Sequence, residues 1–388
     1  MANILDYIEE TKDISFKEVP FNDVDGLVLS QFSYTVFDGI LNENSNMSII
    51  EANDLFWQLH TEKECLKVKS FNKLAPFVMK KMVESKRFKD IRIKNYINDI
   101  SIEEIKQTSA MTLELSDGSD FVAFRGTDGT LAGWLEDFKF SFSTTNGQNE
   151  AAAYLKKYLT YSIRPLRIGG HSKGGNLAVY AALFSNWWIR RRIKAIYSYD
   201  GPGFKEGILS MGVYENLLPL IHSIIPEDCV VGAMMYNKYN HKIVKSDKNS
   251  VYQHDAYSWL IEDGDFIYTP NRSDDSLVFE NVLNKWMKVI GEEKREKILN
   301  TIWSIYTDES LNLTDDVKVG GSIFQHLIVN VLKLDEEDRR VLAEAIGELL
   351  SSTKVVVSDK MRVKIFFRIR KIEKDLKLKR DKEDEKDN

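Results

Sequence analysis

The chain has 388 residues, 43% of them hydrophobic and 29% charged, with a formal net charge of -6. That balance describes a globular protein and argues against nucleic acid as the main partner. Two cysteines, Cys65 and Cys229, are too few for a disulfide framework and suit a reducing compartment.

Residues 1–108 read as a mostly helical region. Pro20-Phe21-Asn22-Asp23 precedes a segment from Val24 to Tyr34 in which Val24, Leu27, Val28, Gln31 and Phe32 recur at helical spacing. Met111–Leu115 and Phe121–Phe124 read as strands, and the Asp117-Gly118 pair between them predicts a hairpin. A polar stretch over 143–149 leads into a helix near Ala151–Tyr161. Strand candidates follow at the run ending in Gly169, at Ala195–Tyr199, at His222–Ile225 and at Lys242–Val244. Strands alternating with helices predict an α/β core over 109–270 with a mostly parallel sheet covered on both faces. Residues 271–355 carry only helical periodicity. In 356–388, Met361, Ile365, Ile369, Ile372 and Leu376 share one face of a basic amphipathic helix before a charged tail. Such a helix is expected either to contact an anionic membrane or to pack on its own domain. No run approaches the ~18 apolar residues of a membrane span. Met1–Glu10 lacks the basic-then-apolar pattern of a signal peptide, so the expected location is the cytoplasm.

Gly170-His171-Ser172-Lys173-Gly174 lies between a predicted strand and a run of good helix formers. A serine hydroxyl becomes a useful nucleophile when it is exposed on a sharp turn and a base takes its proton. Gly170 and Gly174 allow the close backbone approach that such a turn needs. The partners are expected downstream in the order acid, then histidine. His222 and His241 fall in or beside strands, and His326 sits on an apolar helical stripe. His254 lies in a loop beyond the last sheet strand, where it can reach back over Ser172. Asp200 and Asp228 each end a strand on the expected edge of the sheet. Asp228 is favoured as the acid, with Asp200 read as capping the Gly201-Pro202-Gly203 turn. Oxyanion donors are expected from the N–H of Lys173 and from the Gly126-Thr127 loop, where Gly126 permits close approach.

Phe124-Arg125-Gly126-Thr127, then Trp134-Leu135-Glu136-Asp137, then Gly170-His171-Ser172-Lys173-Gly174-Gly175 form an ordered set of motifs. Over about residues 100–260 the chain thereby resembles the fungal, or class 3, lipases. Pro20-Phe21-Asn22, Asp200-Gly201-Pro202-Gly203-Phe204 and Gln253-His254-Asp255 are more similar to a bacterial intracellular branch of that family. The resemblance implies an α/β-hydrolase fold, with Ser172 as nucleophile, Asp228 as acid and His254 as base. It also implies an oxyanion hole at Thr127 and Lys173, with Asp137 bracing Thr127, and a lid within 128–149. It implies cleavage of an ester or thioester acyl substrate without a metal or organic cofactor. The alternatives are a non-catalytic binding or membrane-associated module, or peptidase or acyltransferase chemistry on the same residues.

Overall fold

The computed structural model describes residues 2–281 apart from 69, 71, 102–105, 127–145 and 278–279. Helices α1 (Ile4–Glu10), α2 (Asp23–Phe32), α3 (Ile49–Leu59), α4 (Glu62–Lys67) and α5 (Ala75–Met82) fill the first part of the chain. The first four of these begin with the same device. Asn3, Asn22, Ser48 and Thr61 cap them, and Asp6, Asp25, Glu51 and Glu64, three residues on, reach back to the cap amide. Each box satisfies two amides that the helix itself cannot, and such a cap contributes ~1 kcal/mol.

The region 1–108 is not only helical. Strand β1 (Asn46–Ser48) and strand β2 (Arg92–Ser101) both join the sheet. Between Lys94 and Ile97 the register of β2 shifts against its neighbour, and Asn95 takes a φ of 54°. This bulge leaves the buried Ile93 and Tyr96 three residues apart. The two-residue alternation that marks a strand is thereby lost from the sequence.

Next come β3 (Lys106–Glu114), β4 (Asp120–Phe124), α6 (Asn146–Leu159), β5 (Leu166–His171), α7 (Lys173–Phe184), α8 (Trp187–Arg190) and β6 (Ile193–Tyr199). Short helices α9 (Glu206–Leu209) and α10 (Gly212–Leu217) lead to β7 (Ile221–Pro226) and β8 (His241–Val244). The described chain then adds β9 (Ile261–Glu262), β10 (Asp265–Phe266) and β11 (Tyr268–Thr269). Strands β1 to β8 lie side by side in chain order, with β11 outside β8. Strands β4 to β8 pair in parallel, and β1 to β4 and β8 with β11 pair antiparallel. The expected hairpin is present, with Glu114 opposite Asp120.

Alternation in β4 divides the core. Phe121 and Ala123 join the cluster built on α1, α2, α3 and α5, whereas Val122 and Phe124 join the one built on α6 and α7. Helix α2 departs most from its sequence pattern. All ten of its residues are buried, so the stripe of Val24, Leu27, Val28 and Gln31 is only part of a helix enclosed on every side. Gly26 makes this packing feasible, because a Cβ there would stand 2.3 Å from the Tyr199 hydroxyl. That hydroxyl donates to the Asp23 carbonyl and ties α2 to β6. Arg87, also buried, donates from Nε to Asp25 Oδ1 at 2.6 Å and to the carbonyls of Val19 and Pro20. The expected helices beyond 281 and residues 128–145 of the expected lid lie outside the described residues, while 146–149 begin α6.

Candidate active site

Ser172 stands at the junction of β5 and α7, with φ 58° and ψ -132°. Positive φ is unfavourable for a residue with a Cβ, so the surrounding backbone must impose it. Ser172 N–H donates to the Tyr199 carbonyl at 2.8 Å, and Gly175 N–H donates to the Ser172 carbonyl at 2.9 Å. The flanking glycines allow the strand, the helix and β4 to converge. A Cβ on Gly170 would lie 2.4 Å from the Phe124 carbonyl oxygen, and one on Gly174 would lie 2.1 Å from that same oxygen. The turn therefore requires glycine at both places for reasons of space.

His254 closes over this turn. Its Nε2 is 3.0 Å from Ser172 Oγ, and its Nδ1 is 2.6 Å from Asp200 Oδ2. Asp200 is fully buried at the end of β6 with φ 47°. Its other oxygen, Oδ1, accepts from Gly232 N–H at 2.9 Å and from the Cys229 thiol at 3.0 Å. Burial pushes the Asp200 carboxyl up, but the hydrogen bond and charge of His254, followed by the Cys229 thiol, outweigh it. The net position is below the ordinary carboxylate range, so Asp200 is ionised at neutral pH. With Nδ1–H given to Asp200, His254 presents Nε2 to the serine as an acceptor.

The carboxylate beside His254 is Asp200, not the Asp228 expected from the sequence. Asp200 holds His254 Nδ1. Asp228 instead accepts from Gln253 Nε2 at 3.2 Å, and its N–H donates to Gln253 Oε1 at 2.8 Å. The reason is topological. Asp200 ends β6, the neighbour of the serine strand, whereas Asp228 follows β7, one strand farther out. Asp228 therefore fixes the loop that carries His254. Trp259 helps through a 2.8 Å hydrogen bond from Nε1 to the Gln253 carbonyl.

His171, not singled out by its sequence context, adds a second support. Its Nε2 lies 2.9 Å from the His254 carbonyl oxygen, and the two rings are 4.7 Å apart. That carbonyl can only accept, which assigns the proton to His171 Nε2 and leaves Nδ1 unprotonated, 3.4 Å from the Tyr34 hydroxyl. Burial, and then the nearby charge of His254, push His171 down from 6.5 to about 3, against the opposing pull of Asp200. It is a neutral positioning residue. Its one sequence signal is its place beside the nucleophile in the Gly170–Gly174 pentapeptide.

Gly126 reaches the site as expected. A Cβ there would lie 2.3 Å from the Tyr34 hydroxyl, 2.5 Å from the His171 carbonyl oxygen and 3.3 Å from Ser172 Cβ. Lys173 is the first residue of α7, where an N–H precedes the intrahelical ladder. Thr127 and Asp137 lie outside the described residues. Among the described residues, no cluster of His, Cys, Asp or Glu is arranged to hold a metal ion. Among them, too, no helix is long and apolar enough to cross a membrane.

A family model described as Mbeg1-like matches residues 82–341. No curated protein matches the chain. Among solved structures, the native Rhizomucor miehei lipase propeptide complex is 14% identical, covering 54% of this chain and 74% of its own, with a TM-score of 0.34. M37 lipase is 16% identical, covering 55% of this chain and 70% of its own, also with a TM-score of 0.34. Likeness this distant carries no weight in the chemistry that follows.

Proposed function

The chain belongs to the Mbeg1-like family, and from the geometry around Ser172 we propose that it is a serine hydrolase of α/β-hydrolase type that cleaves a carboxylic ester or thioester. The observation that carries this reading is the continuous hydrogen-bonded line from Ser172 Oγ through His254 to Asp200. It ends on a serine held at positive φ where a strand turns into a helix.

Ser172 Oγ attacks the acyl carbon while His254 Nε2 takes its proton. The resulting imidazolium is stabilised by the buried Asp200 carboxylate and then protonates the leaving alkoxide or thiolate. Water activated by the same nitrogen attacks the acyl-enzyme, and Ser172 recovers its proton. The Lys173 N–H and Thr127, the residue after Gly126, supply the oxyanion donors. One such donor contributes about 2.7–4 kcal/mol in the transition state. No step calls on a metal or an organic cofactor.

A fluorophosphonate probe tests this directly. Wild-type protein is expected to be labelled covalently, and Ser172→Ala is expected to lose the label while keeping its fold. A chain-length series of p-nitrophenyl esters and acyl thioesters on the same pair sizes the acyl pocket. Folded wild-type protein that neither labels nor turns over any member of the series refutes the proposal.

A further inference from the structure

From Ala151 to Tyr199 the chain contains no Asp or Glu and nine Lys or Arg, although the whole chain carries a net charge of -6. The structure gathers two inner segments of this stretch at one place. The turn before β5 and the segment around α8 before β6 are joined by Leu166 N–H on the Arg192 carbonyl at 2.9 Å and by Arg192 Nη1 on the Arg164 carbonyl at 3.1 Å. Both segments precede parallel strands, so they form the amino-terminal edge of the sheet.

That edge is apolar as well as basic. Tyr161 is 94% exposed, Ile163 82% and Trp187 64%, with Phe184 and Trp188 exposed beside them. The two indole rings lie 6.3 Å apart, and the Arg191 guanidinium sits over both, at 4.8 Å and 5.3 Å from their centroids. The nearby acids are engaged: Asp117 with Arg167, Asp120 with Arg164, Glu43 with Lys157. Lys156, Arg191 and Lys194 stay exposed.

We infer that this edge is a docking surface for an anionic phospholipid bilayer. Tryptophan and tyrosine settle at the level of the headgroups, where a ring meets acyl chain on one side and water on the other. Arginine and lysine beside them face the negative surface. Residues 361–380 carry an excess of cations themselves, so they offer this edge no charge complement. Ser172 lies at the opposite end of β5, about 20 Å away along six residues of strand. Docking therefore holds the molecule with Ser172 turned from the bilayer.

The test uses the full chain with two kinds of vesicle: phosphatidylcholine alone, and phosphatidylcholine with about one-third phosphatidylglycerol. Wild-type protein is expected to sediment with the anionic vesicles only, and less so as salt is raised. The double variant Trp187→Ala/Trp188→Ala and the variant Arg191→Glu/Lys194→Glu are each expected to cut the bound fraction by about tenfold, with unchanged thermal midpoints. Because all four side chains are exposed or stacked at the surface, loss of binding is not loss of fold. Sedimentation of both variants at the wild-type level overturns the inference and returns binding to the tail. A wild type that ignores vesicles but forms a dimer removed by the tryptophan variant also overturns it, in favour of a second copy as the partner.

Discussion

A serine at φ 58° costs on the order of 1–3 kcal/mol in backbone strain, which the hydrogen bonds at Ser172 N–H and its carbonyl hold in place. Its two neighbours in the site differ in kind. Asp200 is ionised and touches His254 directly, so Asp200→Asn should keep the shape but lose the charge and the tautomer preference. A fall in kcat on the order of 10⁴-fold is expected, against less than about tenfold for Asp228→Asn, whose residue only anchors the loop. Steady-state kinetics on the two variants decide, and the reverse ranking would restore Asp228 as the acid. His171 makes a different prediction. The unfolded chain protonates this residue near 6.5, and the folded chain only near about 3. Its contribution to stability is therefore complete above 6.5 and is lost as pH falls toward 3, at about 1.4 kcal/mol per pH unit. Asp200, also depressed, adds its own loss only below the ordinary carboxylate value, so it does not share the His171 slope between pH 6.5 and 5. Urea melts should show a shallower acid slope for His171→Gln than for wild type there; equal slopes would mean that His171 is not held neutral. The serine and the histidine were readable from their contexts, a glycine-flanked turn and a loop beyond the last parallel strand. The carboxylate that meets His254 was not, because two carboxylates end neighbouring strands and nothing local ranks them.

At the level of elements, the turn between β5 and α7 is built from space. Gly174 faces the Phe124 carbonyl and the Gly126 amide, both backbone atoms that cannot swing aside. Gly174→Ala should therefore push α7 from β4, at about 1–3 kcal/mol of stability, and displace Gly126 from the serine, lowering kcat more than it changes KM. Gly207 in α9 is the control, since a Cβ there meets nothing within 4 Å. Alanine at that position should be neutral or slightly stabilising by thermal melt; equal losses at both sites would remove the steric account. Elements with clean periodicity or turn chemistry were legible: the β3–β4 hairpin from Asp117-Gly118, and β6 to β8 from their apolar runs. Strand β2 was hidden by the bulge at Asn95, and β1 has only three residues to signal with.

For the molecule as a whole, α2 is the element that links its half of the core to the site. Its amino end is pinned by Arg87 on Asp25 and its far end leads to Tyr34, which donates to the His171 carbonyl at 3.3 Å. Arg87→Met leaves a buried carboxylate without its cation, and a loss of about 3–5 kcal/mol is expected in urea unfolding. The double variant Arg87→Met/Asp25→Leu should recover part of it, less the cap that Asp25 supplies; no recovery would mean that Arg87 acts through its carbonyl contacts alone. The sequence by itself determined the local chemistry. The spacing of glycines around Ser172, the alternation of strand and helix, and the loop position of His254 are all short-range patterns set by backbone geometry and period. Only the tertiary structure decided that α2 is enclosed on all sides, that Asp200 and not Asp228 meets His254, and that His171 supports that loop. Each depends on which strands become neighbours and on how the chain after β8 folds back, contacts between residues 54 to 176 positions apart that no local pattern encodes.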